Sequence, residues 1–141
     1  MIVLDTNILS ELMKTSPAKE VKDWLYRVEN DLLVTTVITI SEIEYGICRL
    51  PEGKRREALE ERFAALTGPR FEFAVLPLDE PAARIAGRLR SARENQGLAA
   101  QSADMMIAAI VKSAGASLAT RNIDDFAGTG IELINPWRLA G

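Results

Sequence analysis

Several side chains in this sequence could bind a cation or move a proton, and they sit where polar groups are out of place. Asp5 ends the apolar run Ile2-Val3-Leu4 and is followed at once by Thr6 and Asn7. Glu42 closes Thr39-Ile40-Ser41-Glu42, and Asp104 lies among the small and apolar residues Ala103, Met105, Met106, Ile107, Ala108 and Ala109. Asn122 and Asp125 fall in Thr120-Arg121-Asn122-Ile123-Asp124-Asp125-Phe126. An isolated buried carboxylate is very costly, so each acid needs solvent, a hydrogen-bond partner or a metal ion. Each also has a local explanation. Asp is a favoured helix cap, and Thr39 with Glu42 three residues on is a capping box. Asp104 in a first helical turn is favoured by the helix dipole, and one of Asp124 and Asp125 can be an ordinary loop acid.

The chain contains no histidine. That removes Ser-His-Asp and Cys-His nucleophiles, histidine acid–base work and histidine-bound zinc. The one cysteine, Cys48, permits neither an internal disulfide nor a cysteine-built zinc site, and it reads as a packed thiol. Hydrolysis would then rest on carboxylates with hard cations such as Mg²⁺ or Mn²⁺, which prefer oxygen ligands. Phosphodiester cleavage suits such a set, because it needs a deprotonated water and relief of charge on the phosphate and the leaving oxygen.

The elements that position these groups can be read in order. Ile2-Val3-Leu4 has no polar alternation and reads as a strand buried on both faces, which puts Asp5 at the carboxyl end where open α/β sheets bind ligands. A short helix follows, with Ile8, Leu9 and Leu12 at helical spacing. Ser16-Pro17 signals the start of a second helix running to about residue 29, with Val21, Trp24, Leu25 and Val28 on one face. Further strands are predicted over 32–36, 71–76, 117–120 and 131–134, and helices over 39–50, 52–66, 79–95 and 101–113. Gly68-Pro69 ends the fourth helix, Asp79 caps the fifth ahead of Pro81, and Gly97 closes it. Strands alternating with helices throughout predict a three-layer α/β/α sandwich with a mainly parallel sheet, as one domain over 1–141.

At 48% hydrophobic and 26% charged, the 141 residues have an ordinary globular composition. No apolar run approaches the roughly 18 residues of a membrane span, and the start lacks a basic-then-apolar signal, so a cytoplasmic protein with no membrane contact is expected. The net charge of −3 does not advertise nucleic-acid binding in bulk. Lys54, Arg55, Arg56 and Arg62 interleave with Glu57, Glu60 and Glu61 and read as a solvated helix face, whereas Arg84, Arg88 and Arg121 are candidates to flank the active edge. Trp24, Trp137, Met105 and Met106 read as packing residues rather than substrate platforms.

Four segments in order carry a resemblance. Ile-Val-Leu-Asp-Thr-Asn at 2–7, Ile-Ser-Glu-Ile-Glu-Tyr-Gly at 40–46, Ala-Asp-Met-Met-Ile-Ala-Ala at 103–109 and Ala-Thr-Arg-Asn at 119–122, with Asp125-Phe126, resemble the PIN-domain ribonucleases. More narrowly they resemble the VapC-type toxins of bacterial toxin–antitoxin pairs, and Leu-Ile-Asn-Pro-Trp at 133–137 matches that subgroup. The resemblance implies a Mg²⁺-dependent endoribonuclease acting on tRNA or ribosomal RNA. It also implies a homodimer inhibited by a cognate antitoxin, with operator DNA bound only through that antitoxin. Asp5, Glu42 and Asp104 would be the metal ligands, Thr6 and Asn7 would orient the first carboxylate, and Thr120 would hydrogen-bond within the site. Many relatives carry a fourth acid directly after the Thr-Arg pair, where this chain has Asn122, so Asn122 and Asp125 are the candidates for that position. Two other readings are an Asp5-nucleophile phosphatase and a non-catalytic interaction module.

Overall fold

A computed structural model describes residues 1–67 and 73–139. Its sheet is built from β1 (Ile2–Leu4), β2 (Leu33–Thr36), β3 (Ala74–Leu76), β4 (Ser117–Ala119) and β5 (Glu132–Ile134), in the order β3-β2-β1-β4-β5. Every pairing is parallel, for example Val3 with Val34 on one side and with Leu118 on the other. Parallel strands need crossover connections, and helices supply them here. These are α1 (Thr6–Leu12), α2 (Lys19–Arg27), α3 (Val37–Cys48), α4 (Lys54–Thr67), α5 (Glu80–Asn95) and α6 (Ser102–Ser113), with a short 3₁₀ turn at Ile123–Phe126.

The apolar run of β1 divides between two cores, because successive strand side chains point to opposite faces. Val3 joins Val34, Leu89, Met105, Ile107, Val111, Leu118 and Phe126 on one face. Ile2 and Leu4 join Ile8, Leu9, Met13, Trp24, Ile43, Ile47 and Phe63 on the other. This is the three-layer sandwich expected from the sequence, with β1 central and Val3 and Leu4 fully buried. The chain winds from β1 out to β3, then crosses back to β4 and β5. The strand order therefore reverses between β1 and β4, and a crevice opens at their carboxyl ends.

Several local expectations are corrected. The cap of α3 is Thr36, whose hydroxyl accepts from the Thr39 N–H at 3.1 Å, so the Thr39–Glu42 capping box does not form and Glu42 is left free for other work. Helix α2 starts at Lys19, with Ala18 at its cap and no side-chain cap bond, rather than at Ser16-Pro17. Leu32 lies outside β2 and is exposed. Cys48 is exposed at the end of α3, not packed. Asp79 caps α5 as expected, accepting from the Ala82 N–H at 3.0 Å, and Gly97 supplies the positive φ that ends it. The Gly68-Pro69 break and the first part of the strand expected at 71–76 lie outside the described residues.

Candidate active site

Asp5 leaves β1 with its own N–H bonded to the Ala119 carbonyl of β4 at 3.0 Å, so its position is set by the sheet. It does cap α1, taking the Thr6 N–H on Oδ1 at 2.8 Å. The cap uses one oxygen. The other, Oδ2, accepts from the Thr120 hydroxyl at 2.7 Å and from Asn7 Nδ2 at 3.4 Å. Capping and a role in the crevice are therefore compatible in one carboxylate.

Thr120 sits just past β4, fully buried, with its N–H on the Ile134 carbonyl of β5. A hydroxyl offers one donor and two acceptor positions. Here the donor goes to Asp5, and the oxygen accepts from the Asn122 N–H at 3.1 Å and from Asn7 Nδ2 at 3.3 Å. Asn7 also accepts the Arg121 N–H at 3.1 Å. This network locks the ends of β1 and β4 together.

Glu42 comes from α3, and its Oε1 accepts the Thr6 hydroxyl at 2.9 Å. Asp104 comes from the first turn of α6 and forms no ion pair among the described residues. Asp5, Thr6, Asn7, Glu42, Asp104 and Asn122 line one cavity of about 430 Å³. Asp125 faces the adjoining cavity, on the 3₁₀ turn that the sequence suggested only as a polar loop. It is near enough to raise the pKa of both Asp5 and Asp104 by repulsion.

The electrostatics are those of crowded acids. Burial pushes the Asp5 carboxyl above its usual range, against the pull of its Thr120 and Thr6 hydrogen bonds. Burial likewise raises Glu42, with Asp5 adding repulsion. Asp104 is pushed up to about 6, first by burial and then by Asp125, Asp5 and Glu42. Among the described residues no three acidic or thiol side chains stand close enough, as placed, to hold an ion. The donor chemistry nevertheless fits a hard divalent cation. The available donor groups are oxygens alone, the carboxylates push one another's pKa values up, and Asp104 forms no ion pair among the described residues. Asp5 does not fit a free nucleophile, since it is 5% exposed and both of its oxygens accept hydrogen bonds.

The cavity also holds residues that the sequence did not single out for the site: Ser10, Glu11 and Lys14. Asn7, Ser10 and Glu11 stand at i, i+3 and i+4, the spacing that shares one helix face, and that was the available signal. Glu11 is 6% exposed, accepts the Ala18 N–H at 2.9 Å and pairs with Lys14 at 2.7 Å. Trp137, expected to be packing, does pack against the core yet also lines the cavity. Of the three candidate flanking arginines, Arg121 lines the cavity, whereas Arg84 pairs with Glu80 on α5 and Arg88 is exposed on the same helix. Of the α4 cations expected to form a solvated face, Lys54 and Arg55 are exposed and the half-buried Arg56 pairs with Glu60. Arg62, in contrast, is half-buried and donates to the Met13 carbonyl at 2.9 Å, tying α4 to the end of α1.

Residues 2–131 match the model of the PIN domain. The chain is 36% identical over 140 residues to a VapC ribonuclease of Sinorhizobium fredii, covering 99% of this chain and all of that one. It is 34% identical over 137 residues to the toxin FitB of Neisseria gonorrhoeae, covering 97% and 99% of the two chains. Among solved structures, a chain in the complex of FitAB bound to the IR36 DNA fragment superposes with a TM-score of 0.88 at 34% identity, covering 100% of this chain and 99% of that one.

Proposed function

This chain belongs to the PIN-domain family and to its VapC-type toxins, and from that premise we propose that it is a divalent-metal-dependent endoribonuclease. Its substrate is RNA, with tRNA or ribosomal RNA as the first candidates, and residues 1–141 act as one nuclease unit. The observation that carries this reading is the convergence of Asp5, Glu42 and Asp104 from β1, α3 and α6 on one crevice.

Asp5, Glu42 and Asp104 would hold Mg²⁺, or Mn²⁺ in its place. When bound, such an ion supplies a water of lowered pKa and charge relief on the phosphate. The chain's own residues do the positioning. Thr120, Asn7 and the Thr6 N–H hold Asp5 in one orientation, and the Thr6 hydroxyl holds Glu42. Asp104, whose side chain forms neither an ion pair nor a hydrogen bond among the described residues, is the carboxylate with most freedom to adjust to an ion. Asn122 stands at the fourth position as a neutral oxygen donor, and Asp125 supplies negative charge beside it.

The similar FitB toxin chain is seen in the FitAB complex bound to a DNA fragment, and a VapBC2 complex bound to a DNA fragment from its promoter shares the fold. A cognate antitoxin that covers this crevice is proposed here too, with operator DNA contacted through it and the toxin as a homodimer. No helix among the described residues is long and apolar enough to cross a membrane, and the cytoplasm, where RNA is found, is the proposed location.

The test is cleavage of total tRNA and ribosomal RNA by purified, antitoxin-free protein, with Mg²⁺, with EDTA, and with Asp104→Asn. Discrete metal-dependent cuts absent from the variant support the reading. A folded preparation that cuts neither RNA pool with Mg²⁺ or Mn²⁺ overturns it in favour of an interaction module, which should also leave growth arrest indifferent to Asp5→Asn.

A further inference from the structure

The acidic cavity and the neighbouring one of about 490 Å³ meet along a ridge made by Arg121, Asn122 and Trp137. The Arg121 guanidinium carbon lies 4.8 Å from the Trp137 ring centroid, a cation–π distance. Its backbone is tied on both sides, with the N–H on Asn7 and the carbonyl accepting from Asn135 Nδ2 at 3.4 Å. Trp137 is fixed in turn by its own N–H on Asn135 Oδ1 at 3.0 Å and by the core beneath it.

The side chain of Arg121 is exposed and forms no ion pair among the described residues. Lys14, the other cation on the acidic cavity, is already paired with Glu11. Among the described residues, Arg121 is thus the one cation lining the acidic cavity that forms no ion pair, although its charge reaches Glu11. A guanidinium laid on an indole has lost much of its rotamer freedom before a ligand arrives, and its planar N–H fork matches phosphate oxygens. The second cavity holds Asp124 and Asp125, which repel phosphate, and Arg138, which attracts it, so Arg121 on the ridge is the cation common to both cavities.

We propose that Arg121 contacts the substrate, holding the RNA phosphate that neighbours the one being cut, and that Trp137 is the positioning residue that fixes its guanidinium. This rests on the ribonuclease reading above. Arg121 would add affinity and register, while the carboxylates carry the chemistry.

Binding is measured in EDTA, where cutting is silent, by fluorescence polarisation of an end-labelled tRNA pool across a salt series. Arg121→Ala is expected to weaken binding roughly tenfold and to reduce the slope of log K against log salt by about one. Trp137→Ala should lose part of that affinity, and Trp137→Phe, which keeps an aromatic face, should retain it. With Mg²⁺, Arg121→Ala should raise KM and leave kcat nearly unchanged. The two tryptophans give a second readout: in protein labelled with 5-fluorotryptophan, tRNA should shift the Trp137 ¹⁹F resonance and leave that of buried Trp24 in place. Wild-type binding and cutting with unchanged affinity and salt slope in Arg121→Ala would overturn the inference alone. If wild type neither binds nor cuts RNA, the ribonuclease reading fails and the inference falls with it.

Discussion

The Thr6 hydroxyl donates to Glu42 Oε1 at 2.9 Å across 36 positions of sequence, joining the start of α1 to the middle of α3. Thr6 also presents its N–H to Asp5, so one residue orients two of the three proposed ligands. A hydrogen bond to a charged group contributes roughly 1.5–3 kcal/mol. Thr6→Ala is expected to lower kcat/KM for RNA by about ten- to a hundredfold, while Thr6→Ser, which keeps the hydroxyl, stays near wild type. Steady-state cleavage of a labelled RNA, with circular dichroism to confirm folding, checks both.

Asp104→Asn should abolish cleavage and yet stabilise the metal-free protein at neutral pH. The folded-state value of about 6 lies above the ordinary 3.8. Stability linked to this group is therefore fully present below 3.8 and lost as pH rises through about 6. The asparagine does not titrate, so its advantage grows over that window. For a half-exposed group, solvent screening reduces the effect to about 1 kcal/mol at pH 7.5. Urea denaturation in EDTA at pH 7.5 and pH 3.5 should show a gain at the first and none at the second.

A divalent ion should reverse that cost. Binding to the folded state alone stabilises by about 2.7 kcal/mol at a hundredfold excess over Kd. Thermal melting of wild type should therefore rise with MgCl₂ at constant ionic strength. Asp5→Asn, Glu42→Gln and Asp104→Asn should each reduce the rise. An equal response in all four proteins would show that the ion acts elsewhere.

Arg93 is 4% exposed and donates to the carbonyls of Ala99 and Ala127. It ties the end of α5 to the approach to α6, which carries Asp104, and to the loop after the 3₁₀ turn, which carries Asp125. Arg93→Met keeps much of the volume but removes both charge-assisted hydrogen bonds, whose acceptors belong to the exposed residues Ala99 and Ala127, and such bonds contribute about 1.5–3 kcal/mol each at most. A loss of roughly 2–4 kcal/mol in urea unfolding is expected. Arg93→Lys, lacking the fork that spans both carbonyls, should restore only part of it.

Local chemistry was readable where a few adjacent residues decide the outcome. The unbroken apolar run before Asp5 means a strand buried on both faces, and Asp79 before Pro81 means a helix start. Gly97 means a helix end. The absence of histidine confines the chemistry to carboxylates and oxygen-seeking cations, and the ordered motifs around Asp5, Glu42, Asp104 and Thr120 mark the family. Tertiary structure decided whatever depends on competition between distant partners. Thr36 took the α3 cap because β2 ends there, and that released Glu42 to meet Thr6. Cys48 is exposed because its place at the helix end faces away from both cores. Pairing of β1 with β4 placed Thr120 on Asp5 across 115 positions, and packing of the β5 side placed Trp137 under Arg121. Periodicity and caps are encoded over three or four residues, within reach of a single helical turn or strand step. Which strand ends meet is set by burial of whole faces, and no short stretch of sequence contains that sum.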